Sequence, residues 1–161
     1  MPCKLLVADS GPLIALTRLG LLQQLCARFD EACLPGKVCT EVTLDMARPD
    51  ARDLAHALQV GRLKRVEVTA EEVRAFQRFG LDAGETEAIA LAERLSSLLL
   101  KGRRAAQSLG LEIIGAAGLL IVFRREGMIP LLKPYLERLH DMGYFSSDTL
   151  VHQTLGLFDE D

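Results

Sequence analysis

Leu5-Leu6-Val7-Ala8 is an unbroken apolar run closed by Asp9. Such runs suit strands buried on both faces, as in parallel sheets. Asp9-Ser10-Gly11-Pro12 ends the strand. Ser10 suits a helix N-cap and Pro12 a first helical turn, so a helix is predicted from Leu13. A second helix is predicted over Leu21–Phe29, then a short strand over Ala32–Pro35. Val38, Val42 and Met46 fall on one face of a predicted helix over Lys37–Met46. Ala51–Gln59 reads as a helix and Leu63–Val68 as a strand. Thr69-Ala70-Glu71-Glu72 has the form of an N-cap with acidic first-turn residues, opening a helix that ends at Gly80. Asp82-Ala83-Gly84-Glu85 is a capping-box-like start for a helix running to Leu95. Leu98–Leu100 reads as a buried strand, Arg103–Leu109 as a helix ended by Gly110, and Leu111–Ile114 as another strand. Helices are predicted over Ala117–Arg125, Ile129–Met142 and Ser147–Leu155.

Strands alternate with helices throughout, which predicts an α/β domain: a parallel sheet covered on both faces. A chain of 161 residues fits one such domain, expected over residues 1–155 with an acidic tail over 156–161, of which Asp159-Glu160-Asp161 is expected to fray. Composition adds that 49% of the residues are hydrophobic and none is Trp, so Leu, Ile, Val and Ala must fill the core. The four cysteines, Cys3, Cys26, Cys33 and Cys39, show no zinc-ligand spacing and read as reduced, mostly buried residues. Met1–Lys4 does not read as a signal peptide. The apolar stretch from Ile113 to Phe123 is well short of the ~20 residues that a membrane span needs. A soluble, cytoplasmic protein is expected.

Net charge is −3, which argues against broad coating of nucleic acid. It leaves room for an acidic pocket with a local basic rim, and Lys101, Arg103 and Arg104 do cluster. In open α/β sheets, sites form outside the carboxyl ends of the strands, where Asp9 stands. Gly11, two residues on, is not the second Asp that a phosphoaspartate phosphatase would want. No strand is followed by a dinucleotide-binding glycine pattern or a phosphate-binding loop. His56, His140 and His152 are scattered along the sequence at no recognisable ligand or triad spacing.

Asp9-Ser10-Gly11-Pro12-Leu13-Ile14-Ala15-Leu16 resembles the opening of PIN-domain proteins. Leu81-Asp82-Ala83-Gly84-Glu85-Thr86-Glu87-Ala88-Ile89-Ala90-Leu91-Ala92 is similar to a segment of a prokaryotic PIN-like subfamily that is formally unassigned and often compared with VapC-type toxins. Gly102-Arg103-Arg104-Ala105-Ala106, Leu109-Gly110-Leu111 and Ile114-Gly115 follow in the same order as in that subfamily, so the likeness runs from Val7 to about Leu150. It implies a three-layer α/β/α fold with a central, mainly parallel sheet. It also implies carboxylates at the strand ends that hold Mg²⁺ or Mn²⁺ and hydrolyse RNA phosphodiesters. Hard cations of this kind want oxygen ligands, and a water acidified by the metal can attack a phosphodiester.

By position, the resemblance assigns Asp9, Glu41 and Glu87 as the acidic catalytic and metal-binding residues, with Ser10, Arg103 and Arg104 toward the RNA phosphates. Glu41 equally suits a solvated helix face, Glu85 suits a capping-box partner, and Ser10 suits a helix cap. A small antitoxin partner and a homodimer are further implications. The chain departs from relatives after Leu98-Leu99-Leu100: it runs straight into Lys101-Gly102, where an acidic residue is expected. A cation there would repel a metal ion or partly replace it. The leading reading is a VapC-like metal-dependent endoribonuclease; the alternative is a PIN-fold protein that has lost efficient catalysis and binds nucleic acid or protein. A small-molecule α/β enzyme with an Asp at its strand end, which has no supporting nucleotide motif, ranks last. Asp148 could contribute a carboxylate, although a cap after Ser146-Ser147 suits it better.

Overall fold

The computed structural model describes residues 5–101, 110–144 and 148–160. Five parallel strands form one sheet: β1 (Leu5–Ala8), β2 (Glu31–Pro35), β3 (Lys64–Val66), β4 (Leu98–Leu100) and β5 (Ile113–Ile114), in the order β3-β2-β1-β4-β5. The connecting helices are α1 (Ser10–Arg18), α2 (Leu22–Arg28), α3 (Gly36–Val42), α4 (Pro49–Gln59), α5 (Ala70–Arg74), α6 (Ala83–Leu95), α7 (Ala116–Arg125), α8 (Lys133–Asp141) and α9 (Asp148–Gly156). This is the α/β architecture that the alternation of apolar runs predicts.

The strands sort their side chains by alternation, since neighbouring residues point to opposite faces. Leu6, Ala8, Leu34 and Leu100 enter the larger core with Leu13, Leu16, Leu119 and Phe123. Val7, Cys33 and Leu99 enter a smaller core with Ala88, Ile89 and Leu91 of α6. A strand apolar at every position therefore serves both layers, whereas a polar-alternating one would serve a single core. Burial pushes the thiol pKa values of Cys26, Cys33 and Cys39 up, which keeps them protonated and unreactive. Among the described residues no helix is long and apolar enough to cross a membrane.

Several ends differ from expectation. Asp9, not Ser10, is the N-cap of α1, because its Oδ1 accepts from the Ser10 amide at 2.9 Å. The helix thus starts three residues before Leu13. Helix α3 stops at Val42, short of Met46. Helix α8 starts at Lys133, beyond Ile129, with Pro134 in its first turn. The Thr69 capping box forms as predicted, with Thr69 and Glu72 serving each other's backbone amides. The helix predicted over Arg103–Leu109 lies outside the described residues.

The tail is tied down at Glu160. That carboxylate accepts from Arg124 Nε at 3.0 Å and from the Leu132 and Lys133 amides at 2.7 and 2.9 Å. It therefore caps the start of α8, where no local side chain does. Burial alone would raise its pKa, but the Lys133 amide, Arg124 and the Leu132 amide outweigh it and hold the carboxyl below the usual range. A depressed folded-state pKa stabilises fully above the unfolded value, near 4.3, and is lost as pH falls through the folded one. Glu160→Gln should cost about 1–2 kcal/mol at neutral pH. Its deficit against wild type, followed by thermal melts at falling pH, should shrink below about pH 4. A deficit that stays constant across that range would mean the carboxylate's charge does not matter.

Candidate functional site

The order β3-β2-β1-β4-β5 reverses direction between β1 and β4. Such a reversal opens a crevice beyond the carboxyl ends of the two strands. Ala8 pairs in register with Leu100, and the Asp9 amide donates to the Leu100 carbonyl at 2.9 Å. Asp9 and Lys101 therefore emerge side by side at the mouth of that crevice. An open cleft of about 580 Å³ lies there, and its lining includes Asp9, Ser10, Glu41, Asp82, Glu85 and Lys101.

Among the described residues, the chemistry of the cleft is set by one cation among four carboxylates. Lys101 Nζ donates to Glu85 Oε2 at 3.0 Å and to Asp9 Oδ2 at 3.4 Å. Its side chain is 1% exposed, so this is a buried ammonium with two partners and not a surface lysine folded over the opening. The Lys101 amide is fixed in turn by the Ile114 carbonyl at 3.0 Å. Ser10 Oγ donates to Glu41 Oε2 at 2.8 Å. Glu41 also leans on Gly84, where any Cβ would collide with its Oε1. Glycine at this position lets α3 and α6 bring a carboxylate against the first turn of α6. Asp82 caps α6, its Oδ1 accepting from the Glu85 amide at 2.7 Å.

Tyr144 closes one side of the cleft. Gly143 has φ +84°, a left-handed conformation that glycine adopts without steric cost. The Gly143 amide donates to the His140 carbonyl at 2.8 Å and the Tyr144 amide to the Leu139 carbonyl at 3.1 Å, a double-bonded end to α8. This turn sets the Tyr144 hydroxyl beside Gly11, where an added Cβ would lie only 3.3 Å from it. Another depression, about 600 Å³, is lined partly by α3 and α4, but among the described residues Arg65 is its only charged lining residue. The concentration of ionisable groups marks the first cleft as the candidate site.

The predicted site residues are thus divided. Asp9, Ser10 and Glu41 come together in the cleft. Glu87 does not line it. Its Oε1 accepts from the Lys37 amide at 3.0 Å and caps α3, whose own N-cap residue is Pro35 and offers no side-chain acceptor. Glu85 reaches the cleft instead, and its carboxylate pairs with Lys101 rather than returning to the backbone of Asp82. Residues two positions apart lie ~200° from each other around a helix, so Glu85 and Glu87 point to opposite sides of α6. That rule could have limited the choice to one of them. Nothing in the pattern pointed to Tyr144. Arg103 and Arg104 lie outside the described residues, and so does the side chain of Asp148.

The arrangement fits a divalent ion poorly. Among the described residues no group of three or more His, Cys, Asp or Glu side chains converges as a ligand set. The point on which Asp9 and Glu85 do converge is held by the Lys101 ammonium.

A family model described as PIN domain matches residues 5–160. No curated protein matches the sequence significantly. Among solved structures the chain is similar to VapBC2 from Rickettsia felis, bound to a DNA fragment from their promoter. Identity there is 10%, over 69% of this chain and 98% of that one, with a TM-score of 0.49. It is also similar to a domain of a functionally unknown protein from Methanocaldococcus jannaschii, at 19% identity over 70% of this chain and 90% of that one, with a TM-score of 0.44.

Proposed function

This chain belongs to the PIN-domain family, and from that premise we propose that it acts as a partner-binding PIN protein of the toxin–antitoxin type, with RNA hydrolysis suppressed in its acidic cleft. The observation that carries this reading is the Lys101 ammonium between Asp9 and Glu85. Hydrolysis of the family's kind needs Mg²⁺ or Mn²⁺ to acidify a water and offset charge on the phosphate. Here the convergence point of two carboxylates already holds a cation, and no catalytic step follows from these residues.

Charge also decides what the cleft can receive. Among the described residues that line the cleft, Asp9, Glu41, Asp82 and Glu85 outnumber Lys101, so that part of the lining is negative. An RNA phosphate entering without a metal meets repulsion, whereas basic side chains of a protein partner meet a complementary potential. A small antitoxin-like protein is a partner of that chemistry.

The second reading is the metal-dependent endoribonuclease, with Asp9 and Glu41 joined by Glu85 in the place first assigned to Glu87. It is favoured by a specific observation: carboxylates from β1's end, α3 and the start of α6 still open onto one cleft at the carboxyl edge of the sheet. Calorimetry of Mn²⁺ and Mg²⁺ with wild type and Asp9→Asn, alongside an RNA-cleavage screen, separates the two. The proposal expects no binding at millimolar metal and no metal-stimulated cleavage. Binding and cleavage by wild type that disappear in Asp9→Asn would establish the nuclease instead.

A further inference from the structure

We infer that Lys101 is a built-in counter-ion that masks a divalent-metal site, so that removing its ammonium uncovers Mn²⁺ binding by Asp9 and Glu85. This rests on the reading above and deepens it, by naming what holds the site silent.

The masking follows from strand register. Leu100 and Ala8 pair across β1 and β4, so the next residue of each strand meets the other without rearrangement. The ammonium is held in a fixed place by two carboxylates and by its own backbone bond to Ile114. Asp9 Oδ2 and Glu85 Oε2 already aim at one point, 3.4 and 3.0 Å from Nζ. An ion bound at ~2.1 Å would need each oxygen to move inward by roughly 1 Å, within the reach of a carboxylate rotation. Two carboxylates with waters are enough for a hard ion of this size.

A separate observation concerns the third carboxylate of the cleft. Glu41 makes no ion pair with Lys101, yet the Ser10 hydroxyl and the missing side chain of Gly84 hold its carboxylate in the same cleft. Glu41 therefore adds negative charge to the cleft without drawing on the Lys101 ammonium.

The test compares wild type, Lys101→Ala, Lys101→Asn and the double variant Asp9→Asn/Lys101→Ala, each checked for folding by circular dichroism. Mn²⁺ is titrated by calorimetry, and thermal midpoints are read with and without 5 mM Mn²⁺, a working level of about millimolar chosen to populate a weak site. Lys101→Ala or Lys101→Asn should bind Mn²⁺ at least about tenfold more tightly than wild type and melt several degrees higher with the metal. The double variant should lose both effects. If the single variants fold but gain no Mn²⁺ binding, the masking idea is overturned while the partner-binding reading stands. Variants that neither fold alone nor recover structure in Mn²⁺ overturn it equally. Tight Mn²⁺ binding by wild type overturns the reading itself.

Discussion

Lys101→Met should lower folding stability by about 3 kcal/mol without metal, the lower end of the range for breaking a buried pair by removing one partner. The ammonium is almost fully enclosed, and its two carboxylates keep limited access to water, at 12% and 23% exposure. Methionine fills much the same volume, so lost packing contributes little and the effect is that of two carboxylates left facing each other. A double-variant cycle isolates that term. Asp9→Asn/Lys101→Met should lose clearly less than the sum of the single changes, because the second change removes a charge that the first had left unpaired. Urea unfolding of the four proteins measures the coupling, and strict additivity would mean that the ion pair contributes no interaction energy.

Phe123→Ala should cost about 3–5 kcal/mol, the usual range for truncating a fully buried aromatic ring. Phe123 is 0% exposed and belongs to the larger core with Leu13, Leu16, Leu119 and Leu136. Its carbonyl also accepts from the Met128 amide at 2.8 Å, which fixes the turn from α7 toward α8. A domain is held by only about 5–15 kcal/mol in total, so this change approaches the limit. A fall in thermal midpoint of about 10 °C is expected at this chain length. Leu44→Ala is the control: Leu44 is 79% exposed and should shift stability by no more than about 0.5 kcal/mol. Equal effects at the two positions would show that α7 is not seated on the sheet as described.

Much of the fold was legible in the sequence because the information is local. Leu5–Ala8 is apolar at every position, and a strand buried on both faces needs that. Thr69 and Asp82 precede their helices by one residue, and a short side chain there finds its backbone donor wherever the helix goes. The limits of α3 and α8 were less legible, since their ends depend on what packs beside them.

The site divides along the same line. Sequence alone determined that Asp9 stands at the carboxyl end of a buried strand and that Lys101 directly follows the apolar run of β4. It also determined the family resemblance, which the ordered motifs carry. Only the tertiary structure decided that Lys101 pairs with both Asp9 and Glu85, that Glu87 caps α3, and that Glu160 anchors the tail. Each of those contacts joins residues far apart in the chain. A carboxylate becomes a ligand, a cap or an ion-pair partner according to the group brought against it, and strand order and helix rotation set that group.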